Sequence, residues 1–262
     1  MRRSELDIDI AAVAVLCAVM MVIASCGGPY AGKKVATPEL KLDLAGRLFE
    51  EGKYSDAAVE YKDFLATFAG HERSDFAQFR LAECYRLDEQ YPLAAVEYRI
   101  LVNDYGYSEY IDDALYLEAL SAFKQAPRAE RDQTKSYEAL TRLNRFFELF
   151  PTSPRRQEGE ELQIELHNRL GKKDFMNARL YFRKKEYAAA IIYLDKVISL
   201  YATSSWADRS RYYRGVIYER EGRITEALSE YEAAVASKSS FSEKDDARRR
   251  IAALRGEEAS GR

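Results

Sequence analysis

One small residue recurs through this chain at a fixed place in a repeated pattern. Five segments share an aromatic or apolar helix end, a short polar turn, an alanine, and a large side chain about one helical turn later. They are LFEEGKYSDAAVEYKDFL from Leu48, CYRLDEQYPLAAVEYRILV from Cys84, DQTKSYEALTRLNRFFELFP from Asp132, YFRKKEYAAAIIYLDKVISLY from Tyr181 and IYEREGRITEALSEYEAAV from Ile217. The alanines are Ala57, Ala94, Ala139, Ala190 and Ala227, spaced 37, 45, 51 and 37 residues apart. A second small residue, Ala45, Ala82, Ala119, Ala178 or Gly215, precedes each alanine by 12 residues in four segments and by 20 in the third. This arrangement predicts pairs of antiparallel helices crossing closely, because only small side chains let two backbones approach. Tyr61, Tyr98, Leu143, Leu194 and Tyr231 lie four residues past the alanines, on the same helical face, and are expected to fill the space beside each crossing.

The spacings are near or above the roughly 34-residue period of tetratricopeptide repeats. The expected fold is therefore all-α: a tetratricopeptide-repeat solenoid of about five helix pairs plus a C-terminal capping helix. Gly52 and Gly222 stand where first helices would end in a left-handed cap, and Pro151 closes the third unit. Two joins exceed the period. KQAPRAERDQTK, Lys124 to Lys135, reads as a polar loop between paired helices, and Pro151 to Phe175 is long enough for an extended first helix. Insertions of this kind are expected to project from a solenoid and serve recognition. Ser242 to Asp245 reads as a capping box opening a last helix with Ile251 and Leu254 inward.

Ahead of the repeats, IAAVAVLCAVMMVIA, Ile10 to Ala24, is an uncharged apolar run of 15 residues. That is too short for a comfortable membrane span, which needs about 20, and it suits a signal-peptide core. Ile23-Ala24-Ser25-Cys26 resembles the bacterial lipobox, in which cleavage precedes a lipidated cysteine. The expected organisation is a leader over 1–25, a lipidated N-terminus and tether over 26–40, repeats over 41–255, and a disordered tail over 256–262. Cys26 would carry diacylglycerol and an N-acyl chain, with no other cofactor expected; several acyl chains hold a protein on a membrane where one does not. Cys17 falls within the leader and Cys84 on an apolar helix face, so neither a disulfide framework nor a metal site is expected. The net charge of −3 gives no basic face and argues against a nucleic-acid partner.

Lipobox, short linker, five repeats and the loop Arg131-Asp132-Gln133-Thr134 together resemble the family of outer-membrane assembly lipoproteins typified by BamD. SYEALTRLNRFFELFPTSP and NRLGKKDFMNARLYFRKKEYAAAIIYLDKVISLY read like that family's third and fourth repeats. The resemblance implies a lipid-anchored protein on the periplasmic face of the outer membrane. It implies binding to the periplasmic domains of BamA and to other assembly-machinery subunits, and help in folding and inserting unfolded β-barrel proteins. N-terminal repeats would receive the client and C-terminal repeats would hold the partner. Gly27, in place of an aspartate after the cysteine, agrees with release to the outer membrane.

On the solenoid, Phe76, Phe79, Tyr116 and Phe123, with Phe175, Phe182 and Tyr212 further on, fall on or near the first-helix surface. They would line an aromatic client groove or else pack between repeats. Trp206, Arg211, Tyr212 and Arg214 have the arginine-with-aromatic composition of an interface hot spot, or else form a basic face paired with Glu219 and Glu221. Catalysis has little support. His71 and His167 stand apart with no ligand spacing, LGKKD at Leu170 lacks a phosphate-binding glycine loop, and the acidic pairs read as helix-end charge. The rival functional class is a tetratricopeptide lipoprotein that organises cell-wall or division complexes.

Overall fold

The computed structural model describes residues 37–237 and 240–260; the lipobox and Cys26 lie outside the described residues. Eleven helices and no strands occur among these residues. Five pairs run in order: α1 (Pro38–Glu50) with α2 (Tyr54–Thr67), α3 (Ser74–Leu87) with α4 (Tyr91–Asp104), α5 (Ile111–Lys124) with α6 (Thr134–Leu149), α7 (Arg156–Arg183) with α8 (Tyr187–Leu200), and α9 (Trp206–Arg220) with α10 (Ile224–Ala236). The terminal helix α11 (Lys244–Ser260) packs against α10. Thus the all-α architecture of five pairs and an added helix is the one the alanine register predicts.

Every crossing is built as expected. The five alanines are fully buried, as are Ala45, Ala82 and Ala119, with Ala178 at 1% exposure. Tyr61, Tyr98, Leu143 and Tyr231 are also fully buried, and Leu194 is nearly so. The fifth crossing is the tightest: a Cβ added at Gly215 would stand 2.7 Å from a ring carbon of Tyr231. Tyr98 donates to Glu83, one residue past Ala82, whereas Tyr231 donates to Glu219, four residues past Gly215, which draws its ring across the glycine.

The hairpin turns repeat in four of the five pairs. Gly52 and Gly222 take left-handed backbones at φ +74° and +75°, and Glu89 and Lys185 occupy the equivalent sites at +57° and +62°. In each turn the next residue's N–H reaches back five residues, as in Lys53 to Leu48 and Arg223 to Tyr218, which satisfies a carbonyl left open by the helix end. The third pair lacks this turn because the loop over 125–133 replaces it.

Helix α7, at 28 residues about 42 Å long, is the spine of the molecule. Its first half puts Leu162 and Leu166 into the core of the second and third pairs. Its second half puts Phe175 and Ala178 into the core of the fourth. Two boundaries differ from the sequence expectation. Helix α1 opens at Pro38 inside the stretch assigned to the tether, with Thr37 Oγ1 accepting from the Leu40 N–H at 3.3 Å. Helix α11 continues through Gly256 to Ser260, into the stretch assigned to the tail. Its expected capping box does not form among the described residues; the Ser242 hydroxyl donates to the Glu243 carboxylate. Leu254 is buried, and Ile251 packs on the same cluster.

Candidate interaction surfaces

Phe76 and Phe79 lie three residues apart on α3 and are half-buried. Phe79 stacks on Tyr110 with centroids 4.9 Å apart, and Phe76 approaches the same tyrosine at 6.1 Å. Guanidiniums edge Phe76: Arg73 sits 4.7 Å from its centroid and Arg80 6.0 Å, Arg80 lying closer, at 3.6 Å, over the neighbouring Phe49. The result is a partly open aromatic strip over the first three pairs, edged by cations. A surface of this kind accepts apolar or aromatic side chains with little dependence on sequence.

Tyr116 and Phe123 do not join that strip. They are 7% and 8% exposed, because α7 and its N-cap cross over them: the N-cap Arg155 lies 5.4 Å from the Tyr116 ring and Arg169 lies 4.2 Å from the Phe123 ring. Phe175 and Tyr212 are likewise buried, at 1% and 8%, while Phe182 is half-buried against Tyr213 and Tyr187. Four of the seven candidate groove rings therefore pack between repeats. Each α-helical stripe faces its neighbour in the stack before it faces solvent.

The loop carrying Arg131, Asp132, Gln133 and Thr134 folds onto α7 and does not project. Arg169 donates to the Ala126 carbonyl at 3.0 Å, Lys173 to the Glu130 carbonyl at 3.1 Å, and Lys172 pairs with the Glu130 carboxylate at 2.6 Å. Gln133, only 5% exposed, organises the loop from within. Its amide donates to the carbonyls of Arg128, Arg131 and Asp132, and its Oε1 accepts from Ser136. Asp132 Oδ1 accepts from the Thr134 N–H and hydroxyl, which starts α6, and Arg131 is exposed.

The same loop meets Trp206. Arg128, Ala129 and Glu130 join Asn168, Arg169, Lys172 and Trp206 around a cavity of about 520 Å³. Trp206 is half-buried, 5.2 Å from Phe175, and Arg209 lies over both rings. The loop and Trp206 thus share one surface, a juxtaposition hidden in sequence because its partners are about 40 or more residues apart.

The other C-terminal candidates divide. Tyr212 points inward, its hydroxyl donating to Asp246 at 2.6 Å. Burial, and then that carboxylate, push the Tyr212 phenol up to about 12, while the Tyr212 hydroxyl, and then Arg250, hold the Asp246 carboxyl down to about 2. Arg214 is held by Asp195 at 2.5 Å and Glu230 at 2.6 Å. The pairing with Glu219 and Glu221 does not occur; Glu219 is taken by Arg250 and Tyr231, and Glu221 pairs with Arg223 at 3.3 Å. Arg211 is half-buried and makes no ion pair among the described residues. It is the member of this group with a cation left for a partner.

Among the described residues no group of three or more His, Cys, Asp or Glu side chains is placed to hold a metal, and no helix is long and apolar enough to cross a membrane. Cys84 is fully buried, and burial pushes its thiol up to about 12. His167 hydrogen-bonds Thr203 through Nδ1 at 2.6 Å, and burial lowers its pKa.

The BamD outer membrane protein assembly factor of Rickettsia prowazekii is 26% identical over 191 residues, covering 72% of this chain and 76% of that protein. Among solved structures, the tetratricopeptide domain of P58(IPK) overlays with a TM-score of 0.39 at 20% identity, across 85% of this chain and 56% of that one. A tetratricopeptide protein from Parabacteroides merdae gives 0.41 at 16% identity, across 85% and 86%. Residues 38–237 match the YfiO outer membrane lipoprotein family, a span that runs from the first residue of α1 past the end of α10. The chain belongs to the YfiO family of outer membrane lipoproteins.

Proposed function

We propose that this protein is a non-catalytic scaffold for assembly of β-barrel proteins in the outer membrane, anchored on the periplasmic face by lipid on Cys26. The observation that carries the reading is the family match across all five helix pairs, together with the assembly-factor relative. In this reading the aromatic strip of Phe76, Phe79 and Tyr110 receives unfolded barrel segments, whose alternate residues are apolar or aromatic. The surface shared by the 128–132 loop and Trp206, together with Arg211 further along α9, holds the periplasmic domains of BamA. Tyr116, Phe123, Tyr212 and Arg214 support these surfaces from within and do not touch client or partner.

Depletion of the protein should lower the levels of folded outer-membrane barrels within a few generations. Unchanged barrel levels with altered cell shape or septation would overturn the reading in favour of a wall or division scaffold. The partner surface is tested by charge reversal. Arg211→Glu should release BamA on co-purification while leaving the melting temperature unchanged, whereas Arg214→Glu should lower the melting temperature because it sets a third carboxylate against Asp195 and Glu230. Replacing residues 1–26 with a cleavable secretion leader that carries no lipobox should leave the protein in the soluble periplasmic fraction.

A further inference from the structure

A cavity of about 640 Å³ opens between the second helices of the second and third pairs and reaches Thr134 at the end of the 131–134 loop. Arg99 and Asn103 of α4, Glu118 of α5, and Tyr137, Thr141, Arg142 and Arg145 of α6 line it. Its volume falls within the range of sites that engulf a ligand or a few side chains, about 300–1,000 Å³.

The chemistry of its wall is unusual for a solenoid flank. Glu118 is 3% exposed, and a single oxygen of its carboxylate accepts from Arg142 Nε at 2.7 Å and Arg99 Nε at 3.1 Å. Two guanidiniums thus share one buried carboxylate oxygen. Each has further N–H donors, since a guanidinium carries five. Arg145 is exposed and makes no ion pair among the described residues. The other carboxylate at the site, Glu138, is held by Lys135 at 2.8 Å and more loosely by Arg142 at 3.6 Å, which leaves Arg145 as the uncommitted cation. Cationic donors therefore exceed the carboxylates that could satisfy them, and the Tyr137 ring, 41% exposed, supplies an aromatic wall beside them.

The contact surface continues beyond the cavity. Val96 lies one helical turn before Arg99 on α4 and is 46% exposed, and Leu93, one turn earlier still, is 44% exposed. A free inorganic anion would use the guanidiniums alone. A surface that combines them with an exposed aromatic and two exposed aliphatic side chains matches a polypeptide bearing a carboxylate next to an apolar residue. Arginine favours such a group because its planar fork pairs with a carboxylate through two parallel hydrogen bonds.

We propose that this cavity is a docking site for an acidic segment of a protein partner, in which an Asp or Glu side chain enters between Arg99, Arg142 and Arg145 while a neighbouring apolar residue rests on Tyr137 and Val96. Glu118 orients the two inner guanidiniums, and Arg145 supplies the uncommitted charge at the rim.

The test uses the full chain in detergent and a fluorescein-labelled hexapeptide of alternating phenylalanine and glutamate, read by fluorescence anisotropy. Saturable binding is expected. The comparison peptide carries glutamine in place of all three glutamates and should bind about tenfold more weakly, the loss expected for hydrogen bonds to a charged group. Arg145→Glu should weaken the glutamate peptide by at least about tenfold at an unchanged melting temperature, because its side chain has no folded partner to lose. Val96→Asp should weaken it as well, through the flanking wall. The proposal is overturned by any of three results: no saturable binding up to about 1 mM peptide, an Arg145→Glu or glutamine-peptide affinity within about threefold of the reference, or displacement of the peptide by an equal concentration of inorganic phosphate.

Discussion

Gly215→Ala tests the central packing claim, because two effects of similar size oppose each other there and the geometry says which wins. In a helix interior alanine is favoured over glycine by about 0.8–1 kcal/mol. Against this, the new methyl would meet Tyr231 ring carbons at 2.7 and 2.9 Å, where ordinary contact begins at 3.4 Å. The ring cannot retreat freely: Tyr231 is fully buried, its hydroxyl is bound to Glu219 at 2.6 Å, and Glu219 is held by Arg250 at 2.7 Å. Overpacking of this kind costs about 1–3 kcal/mol, so the net change is a loss of about 1 kcal/mol. For a domain of this size that lowers the melting temperature by about 2–4 °C. Gly46 is the internal control. It too lies inside a helix, yet nothing stands within 4 Å of an added Cβ, so Gly46→Ala should stabilise by about 0.5–1 kcal/mol. In a Tyr231→Leu background, which reproduces the alanine-and-leucine crossings of the third and fourth pairs, adding Gly215→Ala should become stabilising. Thermal melts followed by circular dichroism read the four variants against the parent. If Gly215→Ala raises the melting temperature as Gly46→Ala does, the Tyr231 ring does not lie across the glycine, and the account of the fifth crossing fails.

Three more outcomes follow from the same geometry. Lys185→Gly should stabilise by about 1 kcal/mol, because Lys185 holds a left-handed φ of +62° that Gly52 and Gly222 occupy without strain; denaturant melts showing no gain would refute this. Gln133→Ala removes the amide that gathers three loop carbonyls, so backbone amides over 126–132 should exchange hydrogen about tenfold faster while distant helices are unaffected; uniform protection would show that the contacts to α7 alone hold the loop. Asp246, held near 2 when folded against an ordinary value of about 3.9, contributes stability that is complete above about pH 4 and is lost as pH falls toward 2. The stability gap between the parent and Asp246→Asn should therefore be constant from pH 7 to about 5 and close below about 4, and a gap that persists at pH 2 would show that the Tyr212 and Arg250 contacts do not depend on the charge.

The left-handed turns show a signal that was legible but easily missed. Glu89 lies 37 residues after Gly52, and Lys185 lies 37 before Gly222, so the period alone marks both positions although neither residue type advertises a positive φ. Residue type reports what a position tolerates, whereas the repeat reports what it must do. The interaction surfaces were less legible. The loop at 131–134 could be recognised as distinctive, but its attachment to α7 depends on Arg169, Lys172 and Lys173, about 40 residues away. Likewise, the composition around Arg211 and Arg214 could not separate a cation held by Asp195 and Glu230 from one with no ion pair.

The sequence by itself determined the helices, their pairing and the residues at each crossing. These follow from contacts within one hairpin, where a small residue must face a small residue and a large one must fill the gap beside it. Tertiary structure alone decided which aromatic rings remain open to a partner. Tyr116 and Phe79 carry the same helical signal, but α7, lengthened by the third-to-fourth join, covers Tyr116 and Phe123 and leaves Phe76 and Phe79 partly uncovered. A helix's periodicity says which residues share a face; only the neighbour that the stack places against that face says whether it is core or surface.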